Sequence, residues 1–202
     1  MKKITNSAIL ALVLATTSIE AGSWYVGIEQ SLMNNVDNTT EIGNYSFSND
    51  KSLNITSFKI GSIADGDKGN HYEFLYNTGE KSANPIGGLS GSSLTSLSFN
   101  WNITTPTLLS NIDKVLPYFR LGANYAISDD QYYVYGTNDK EDYSALGLTL
   151  GVGGYYQLND KINLSLGFDY GYRIWRTLTN GRYDMDSTDK IKKLYVGVDY
   201  LF

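Results

Sequence analysis

With 202 residues, a formal net charge of −5, one histidine and no cysteine, the chain is sized for one domain. It is too acidic to read as a nucleic-acid binder, and it lacks the cysteines of a disulfide scaffold and the clustered histidines of a zinc site. Tyrosine and glycine stand out, at 17 and 20 against 3 prolines, a composition suited to strands, wet–dry boundaries and close backbone approach.

The first element in the chain is outside the expected fold. Residues 1–21 join a basic start, MKK, to the apolar run AILALVLA and a small residue, Ala21, at the expected cleavage point, with Ser23 as the second choice. This is the layout of a bacterial secretory signal peptide. The run is shorter than the roughly 20 residues a membrane helix needs. Cleavage after Ala21 removes Lys2, Lys3 and Glu20, leaving 14 basic and 20 acidic residues, a net charge of −6.

Eight segments with period-two alternation follow, with no amphipathic helix among them. SWYVGIEQSL carries Trp24, Val26 and Ile28 on one face; SLNITSFKIGS carries Thr56, Phe58 and Ile60; NHYEFLYN carries Tyr72, Phe74 and Tyr76. LTSLSFNWNI aligns Leu97, Phe99, Trp101 and Ile103, and PYFRLGANYAI aligns Phe119, Leu121, Ala123, Tyr125 and Ile127. SALGLTLGVGGYY aligns Leu146, Leu148, Leu150, Val152 and Tyr156, and KINLSLGFDYGYRI runs from Ile162 to Tyr172 on one parity. The last segment, KKLYVGVDYLF, places Leu194, Val196, Val198, Tyr200 and Phe202 together.

The opposite parity is charged or small. It holds Glu29, Lys59, Glu73, Arg120, Asp169, Arg173, Lys193 and Asp199, four acids and four bases, interleaved with glycine and serine. A soluble sandwich shows the same alternation, so periodicity alone leaves open which face is inside. The connections separate the cases. They alternate long and short: roughly 32–51 is long and polar, ADGDKG is short, TGEKSANPIGGLSGSS is long, SDDQYYVYGTNDKED is long, LNDK is short and TLTNGRYDMDSTDK is long; only TTPTLLSNIDKVL is intermediate. An even number of strands with long loops at one end and short turns at the other is the layout of a transmembrane β-barrel. Trp24, Tyr72, Trp101, Phe119, Tyr156 and Tyr200 all lie on the apolar parity at the short-turn end, where a barrel carries its interfacial aromatic girdle. The expected fold is an all-β, eight-stranded antiparallel up-and-down transmembrane barrel over 22–202. The last strand must pair with the first, because a bilayer leaves no backbone polar group unsatisfied.

The hairpin YYQLNDKINLSLGFDYGY, the alternating strands and the ending LYVGVDYLF resemble the small eight-stranded outer-membrane barrels of Gram-negative bacteria, the opacity-protein and OmpA-like family. The resemblance implies an outer-membrane location and insertion by the barrel-assembly machinery. Val196, Val198, Tyr200 and Phe202 look like that family's C-terminal assembly signal. Outer-membrane lipid and lipopolysaccharide are the expected surroundings; a monomer without cofactor is expected, and with no cysteine and no clustered histidine no metal site is expected.

An eight-stranded barrel has an interior that side chains fill, so the eight inward charges are expected to form a structural ion network, with Arg120 and Arg173 pairing Glu29, Glu73, Asp169 or Asp199. Gly167, Gly171 and Gly197 are expected to make room for Arg173, Trp175 or Tyr195. His71 faces the lumen near the short turns, the wrong face and depth for the acyl chemistry of lipid A deacylase barrels. DGDKGN lacks the spacing of a calcium loop, and the acids of YDMDSTDK offer at most a surface cation site. Tyr132, Tyr133 and Tyr135 lie among acids in the third long loop, placed either for contacts with partners or for packing on one another. The expected function is a non-enzymatic surface or envelope-structural role, with loops available for adhesion or recognition. Two alternatives stay open: a narrow pore for ions or small solutes, and a soluble periplasmic lipocalin-like barrel with its apolar face inward.

Overall fold

In the computed structural model, the described residues are 21–64, 69–79, 93–106, 108, 114–129, 132–133, 140–179 and 182–202. The expected signal peptide lies outside them apart from Ala21, as do 65–68 of the first short turn, 80–92 of the second long connection and Tyr135. The alternating segments form strands because every second side chain is branched or aromatic and finds a common face. In chain order these are β1 (Ala21–Ile42), β2 (Tyr45–Ser52), β3 (Thr56–Ala64), β4 (His71–Thr78), β5 (Leu94–Thr104), β6 (Val115–Ser128), β7 (Tyr132–Tyr133), β8 (Lys140–Glu141), β9 (Ser144–Asn159), β10 (Ile162–Trp175), β11 (Leu178–Thr179) and β12 (Asp184–Leu201). β2 and β3 are one stave broken at 53–55, since both pair with β1. β7 and β8 form a separate small hairpin. β11 likewise continues the β10 stave, since both pair with β12, so eight antiparallel staves remain, and β12 pairs with β1 to close the sheet.

The register gives the shape of the cylinder. A row followed sideways from Val26 passes Ile60, Phe74, Phe99, Ala123, Leu148, Tyr172 and Lys190, and returns to β1 at Asp37. That return is eleven residues along, one of which is the bulge between Ser31 and Met33, so the shear is ten residues. Eight strands with this shear tilt by about 40° and enclose a lumen that side chains fill.

Two connections differ from their expected loop character. β1 runs 22 residues and β12 runs 18, so most of 32–51 and the 184–190 part of the last connection are strand. The first turns at Gly43, whose φ of 57° suits glycine. β1 and β12 stay paired from Tyr25–Leu201 up to Ile42–Met185, and with β2 they rise as a sheet beyond the other staves. Along this extension the outward positions turn polar: Asp37, Glu41 and Asp186 face out, while Val36, Ile42 and Met185 point inward and are buried beside Asn38, Thr40 and Asp189. A wall that leaves hydrocarbon for water needs no apolar outer face. On β1 the bulge also moves the outward positions from even numbers to odd. Its gap is closed by Ser31 N–H donating to the Ile55 carbonyl at 2.9 Å, Ile55 N–H donating to Ser31 Oγ at 2.7 Å and Gln30 Nε2 donating to the Ile55 carbonyl at 3.1 Å. Thr56 Oγ1 in turn donates to Gln30 Oε1 at 2.6 Å, so the outward glutamine keeps polar partners.

Candidate functional site

Polar side chains fill the lumen, and their contacts begin at Arg120. The strand pleat of β6 aims its guanidinium inward, where it is 1% exposed. Arg120 Nη2 lies 2.9 Å from Glu73 Oε2, and Nη1 lies 3.0 Å from Asp169 Oδ2 and 3.5 Å from Glu29 Oε2. Nε donates to Asn102 Oδ1 at 2.9 Å. Lys193 Nζ donates to Glu29 Oε1 at 2.6 Å, and Lys59 Nζ pairs with Asp199 Oδ1 at 2.8 Å and reaches Glu73 at 3.8 Å. Seven of the eight inward charges named from the sequence are thus joined in one network of four carboxylates and three cations. Arg173 stands apart. It pairs at 3.7 Å with Asp189, an acid of the last long connection of the sequence, and its Nε donates to Asn124. Ions in such a space must be paired, because desolvating a lone charge costs far more than a hydrogen bond returns.

Towards the rim that holds Trp24 and Phe202, the lumen is aromatic. Tyr25 and Tyr155 hydroxyls donate to Glu73 Oε1 at 3.0 and 3.1 Å, and the Tyr118 and Tyr195 hydroxyls meet at 2.6 Å. Arg120 lies over the Tyr195 ring, 4.6 Å from its centroid. His71 is buried with its ring stacked on Tyr155 at 4.1 Å, and neither ring nitrogen has a hydrogen-bond partner among the described residues. The four tyrosines share the parity of the charges, the sequence signal that could find them; only Tyr195 was expected in the lumen. Gly167 lies against Tyr195 and Tyr118, whereas Gly171 faces Ile191 and Thr149, and Gly197 faces Ser165 and Lys59; only the first makes room for one of the large side chains expected.

Above the ion network lies a small cavity of about 50 Å³, lined by Asn34, Asn77, Asn100, Asn124 and the Lys193 and Arg173 side chains together with Ile55, Leu75 and Ile191. Higher still, Asp189 accepts from Asn38 at 2.7 Å and from Trp175 Nε1 at 2.8 Å. The far rim is then closed by Ile42, Leu94, Tyr143, Ala145, Trp175, Leu178 and Met185, all buried together, with Tyr143 stacked on Trp175 at 4.4 Å. From one rim to the other the lumen therefore runs tyrosine layer, ion network, asparagine chamber and apolar cap.

The outside is the reverse. Ile28, Phe58, Leu148, Leu166 and Val198 are each at least half exposed. Trp24, Tyr72, Trp101, Phe119, Tyr156 and Tyr200 stand on this outer surface near the Trp24 rim, with Tyr72 stacked on Trp101 at 6.2 Å. Tyr76, Tyr125, Tyr170 and Tyr172 stand on it farther up. Val196, Val198 and Tyr200 line the outer face of β12; Phe202 packs edge-on against Tyr200, and its N–H donates to the Trp24 carbonyl at 2.9 Å. Apolar side chains outside and ions inside exclude a lipocalin-like arrangement. Asp184 and Asp186 face out on β12 while Asp189 turns inward, so the acids of the last connection do not converge, and the described residues contain no cluster of three metal-ligating side chains.

No family model matches the sequence, and no curated protein matches it. Among solved structures, the outer membrane protein AlkL, determined in DMPC lipid bilayers, is similar with a TM-score of 0.52 at 15% identity, covering 92% of each chain. Neisserial surface protein A gives 0.49 at 16% identity over 89% of this chain and 97% of its own. Ail, the attachment invasion locus protein of Yersinia pestis, gives 0.48 at 14% over 88% and 98%. The likeness to AlkL shows the fold. A closed eight-stranded sheet with this exterior is the fold of the small bacterial outer-membrane barrels.

Proposed function

We propose that this barrel is a non-enzymatic surface protein whose lumen is sealed and whose exposed sheet and loops serve envelope structure and recognition. The observation that supports this reading best is the filling of the lumen by side chains on both sides of a cavity of only about 50 Å³. The Arg120 network occupies the middle and the Tyr143–Trp175 cluster caps one end. The rim with Trp24 and Phe202 faces the periplasm, and the β1–β2–β12 extension stands outside, where an irregular polar surface is free to meet partners. The protein acts as a monomer, and lipopolysaccharide surrounds its outer half.

Planar-bilayer recording of refolded protein tests the sealed lumen. The expected result is a bilayer without discrete steady openings in molar potassium chloride. Regular openings that persist at low voltage would establish the narrow pore instead.

The β12 ending also serves as the assembly signal read by the barrel-assembly machinery. Deleting Phe202 removes the Trp24 hydrogen bond and the ring against Tyr200. The folded, heat-modifiable band in outer-membrane fractions is expected to fall several-fold; an unchanged band would remove that role.

A further inference from the structure

The apolar outer surface is taller on one side of the barrel than on the other. The outward positions 115–127 of β6, 146–158 of β9 and 162–174 of β10 carry no side chain more polar than tyrosine. At about 3.3 Å per residue and a tilt of about 40°, each of these staves presents about 30 Å of apolar wall along the barrel axis. Across the barrel the wall is short. β3 turns only Phe58 and Ile60 outward between Ser62 below and Thr56 above, and β4 turns out Tyr72, Phe74 and Tyr76 below Thr78. These runs span about 5 and 10 Å on the same rise. On β1 the outward run from Trp24 meets Gln30, and Leu32 and Met33 at the bulge are the last exposed apolar side chains above it.

Gln30, Thr56 and Thr78 stand opposite one another in the register and form one polar row on the outer face. Thr56 Oγ1 donates to Gln30 Oε1 at 2.6 Å, and Thr78 Oγ1 donates to the Thr56 carbonyl at 3.1 Å, bonds that suit a boundary where water comes and goes. The depth of the row follows from the shear. The sideways path from Val26 to Asp37 climbs about 25 Å along the barrel axis in eight steps, or about 3 Å per stave. Thr56 then stands about 13 Å above Val26 and Thr78 about 16 Å, level with Tyr170 at about 14 Å and Leu148 at about 16 Å on the tall wall. One level is thus polar on one side of the barrel and apolar on the other.

A bilayer of uniform thickness cannot match both walls. Apolar surface left in water and polar side chains left in hydrocarbon each cost free energy, whereas a bilayer deforms at a modest cost per ångström of mismatch. Tilting the barrel would raise one wall against the other without shortening either. We infer that the β1–β3–β4 wall holds the bilayer thinner than the β6–β9–β10 wall does, with headgroups drawn down to the Gln30–Thr56–Thr78 row. The lipid that fits this wall has short or strongly disordered acyl chains. The thin patch lies directly beneath the extension, since β1 and the β2–β3 stave continue upward from it. The inference rests on the outer-membrane placement.

Single nitroxide labels at positions 56, 78, 148 and 170 of refolded protein in phosphatidylcholine vesicles test this, with 58, 72 and 74 as reference sites. Collision with a water-soluble nickel chelate is compared with collision with oxygen, which concentrates in hydrocarbon. Labels at 56 and 78 are expected to meet the chelate several-fold more, relative to oxygen, than labels at 148 and 170. In the Gln30→Leu/Thr56→Leu variant, the ratio at 78 is expected to fall towards that at 148. Oxygen-dominated ratios at all four sites would overturn the inference, and so would a ratio at 78 that the two leucines leave unchanged. The label at 72 is expected to remain at the lower headgroup boundary; oxygen dominance there would establish tilt in place of thinning. Labels at 58 and 74 are expected to be rich in oxygen contact, and chelate contact there would count against the membrane placement itself. Heat-modifiable gel mobility, scored on each sample, separates these results from misfolding.

Discussion

Replacing Arg120 with methionine is expected to destabilise the folded barrel by about 3–5 kcal/mol, the cost of leaving buried partners uncompensated. The side chain contacts three carboxylates at once, and removing it leaves Glu29, Asp169, Glu73 and Asp199 facing only Lys59 and Lys193. Methionine supplies comparable bulk, so packing loss contributes little and the loss reads mainly the charge. Combining Arg120→Met with Glu73→Gln is expected to recover part of the stability, because the second change removes one stranded anion. Urea unfolding of vesicle-inserted protein measures both. A midpoint unchanged by Arg120→Met would show that water or another cation reaches the network, which a sealed lumen forbids.

Gly153→Val is expected to cost more than the 1–3 kcal/mol of ordinary overpacking. A β-carbon there would stand 2.5 Å from the Tyr118 ring and 2.6 Å from the Leu166 carbonyl oxygen. The tyrosine has little freedom to withdraw, since its hydroxyl is bonded to Tyr195, whose own ring lies against Gly167. The carbonyl belongs to the neighbouring stave and is fixed by the closed circumference. Gly154, one residue on, is the control: the nearest atoms to its added carbon are at 3.8 and 4.0 Å, so Gly154→Ala is expected to change stability by less than about 1 kcal/mol. The same urea midpoints compare the two. Similar values for both would mean that the tyrosine layer is looser than its hydrogen bonds imply.

Much of this barrel is legible in its alternation. Over Ile162–Trp175 each even residue faces out and each odd residue faces in, and the period-two pattern separates the same two sets. Seven of the inward charges can be grouped from parity alone, because a strand offers only two faces and ions take the one that lipid does not touch. Other features resisted for physical reasons. The upper part of β1, rich in Asn, Asp and Thr, has the composition of a loop, and the bulge at Ser31–Met33 moves its outward positions from even to odd. Pairing with β12 on one side and β2 on the other keeps it extended. Asp189 sits amid other acids in a polar stretch, and its inward turn depends on β12 beginning at Asp184, a boundary that local composition does not mark. The lumen tyrosines were hidden by chemistry of the opposite kind. Tyrosine suits a membrane boundary, so Tyr25, Tyr118 and Tyr155 are easily taken for girdle residues until their parity is compared with that of Glu73 and Arg120. Which residues touch across the lumen is set by the shear, and the shear depends on every register together.

Which face meets lipid is directly measurable, because the chain has no cysteine of its own. Single cysteines placed one at a time along 164–173 of β10 and spin-labelled in lipid vesicles report collision with oxygen, which concentrates in hydrocarbon. Accessibility is expected to alternate with a period of two, high at positions 164, 166, 168, 170 and 172 and low at 165, 167, 169, 171 and 173. High oxygen accessibility at the odd positions, or no alternation, would contradict the assignment of the leucine face to the bilayer and of the ionic face to the sealed interior.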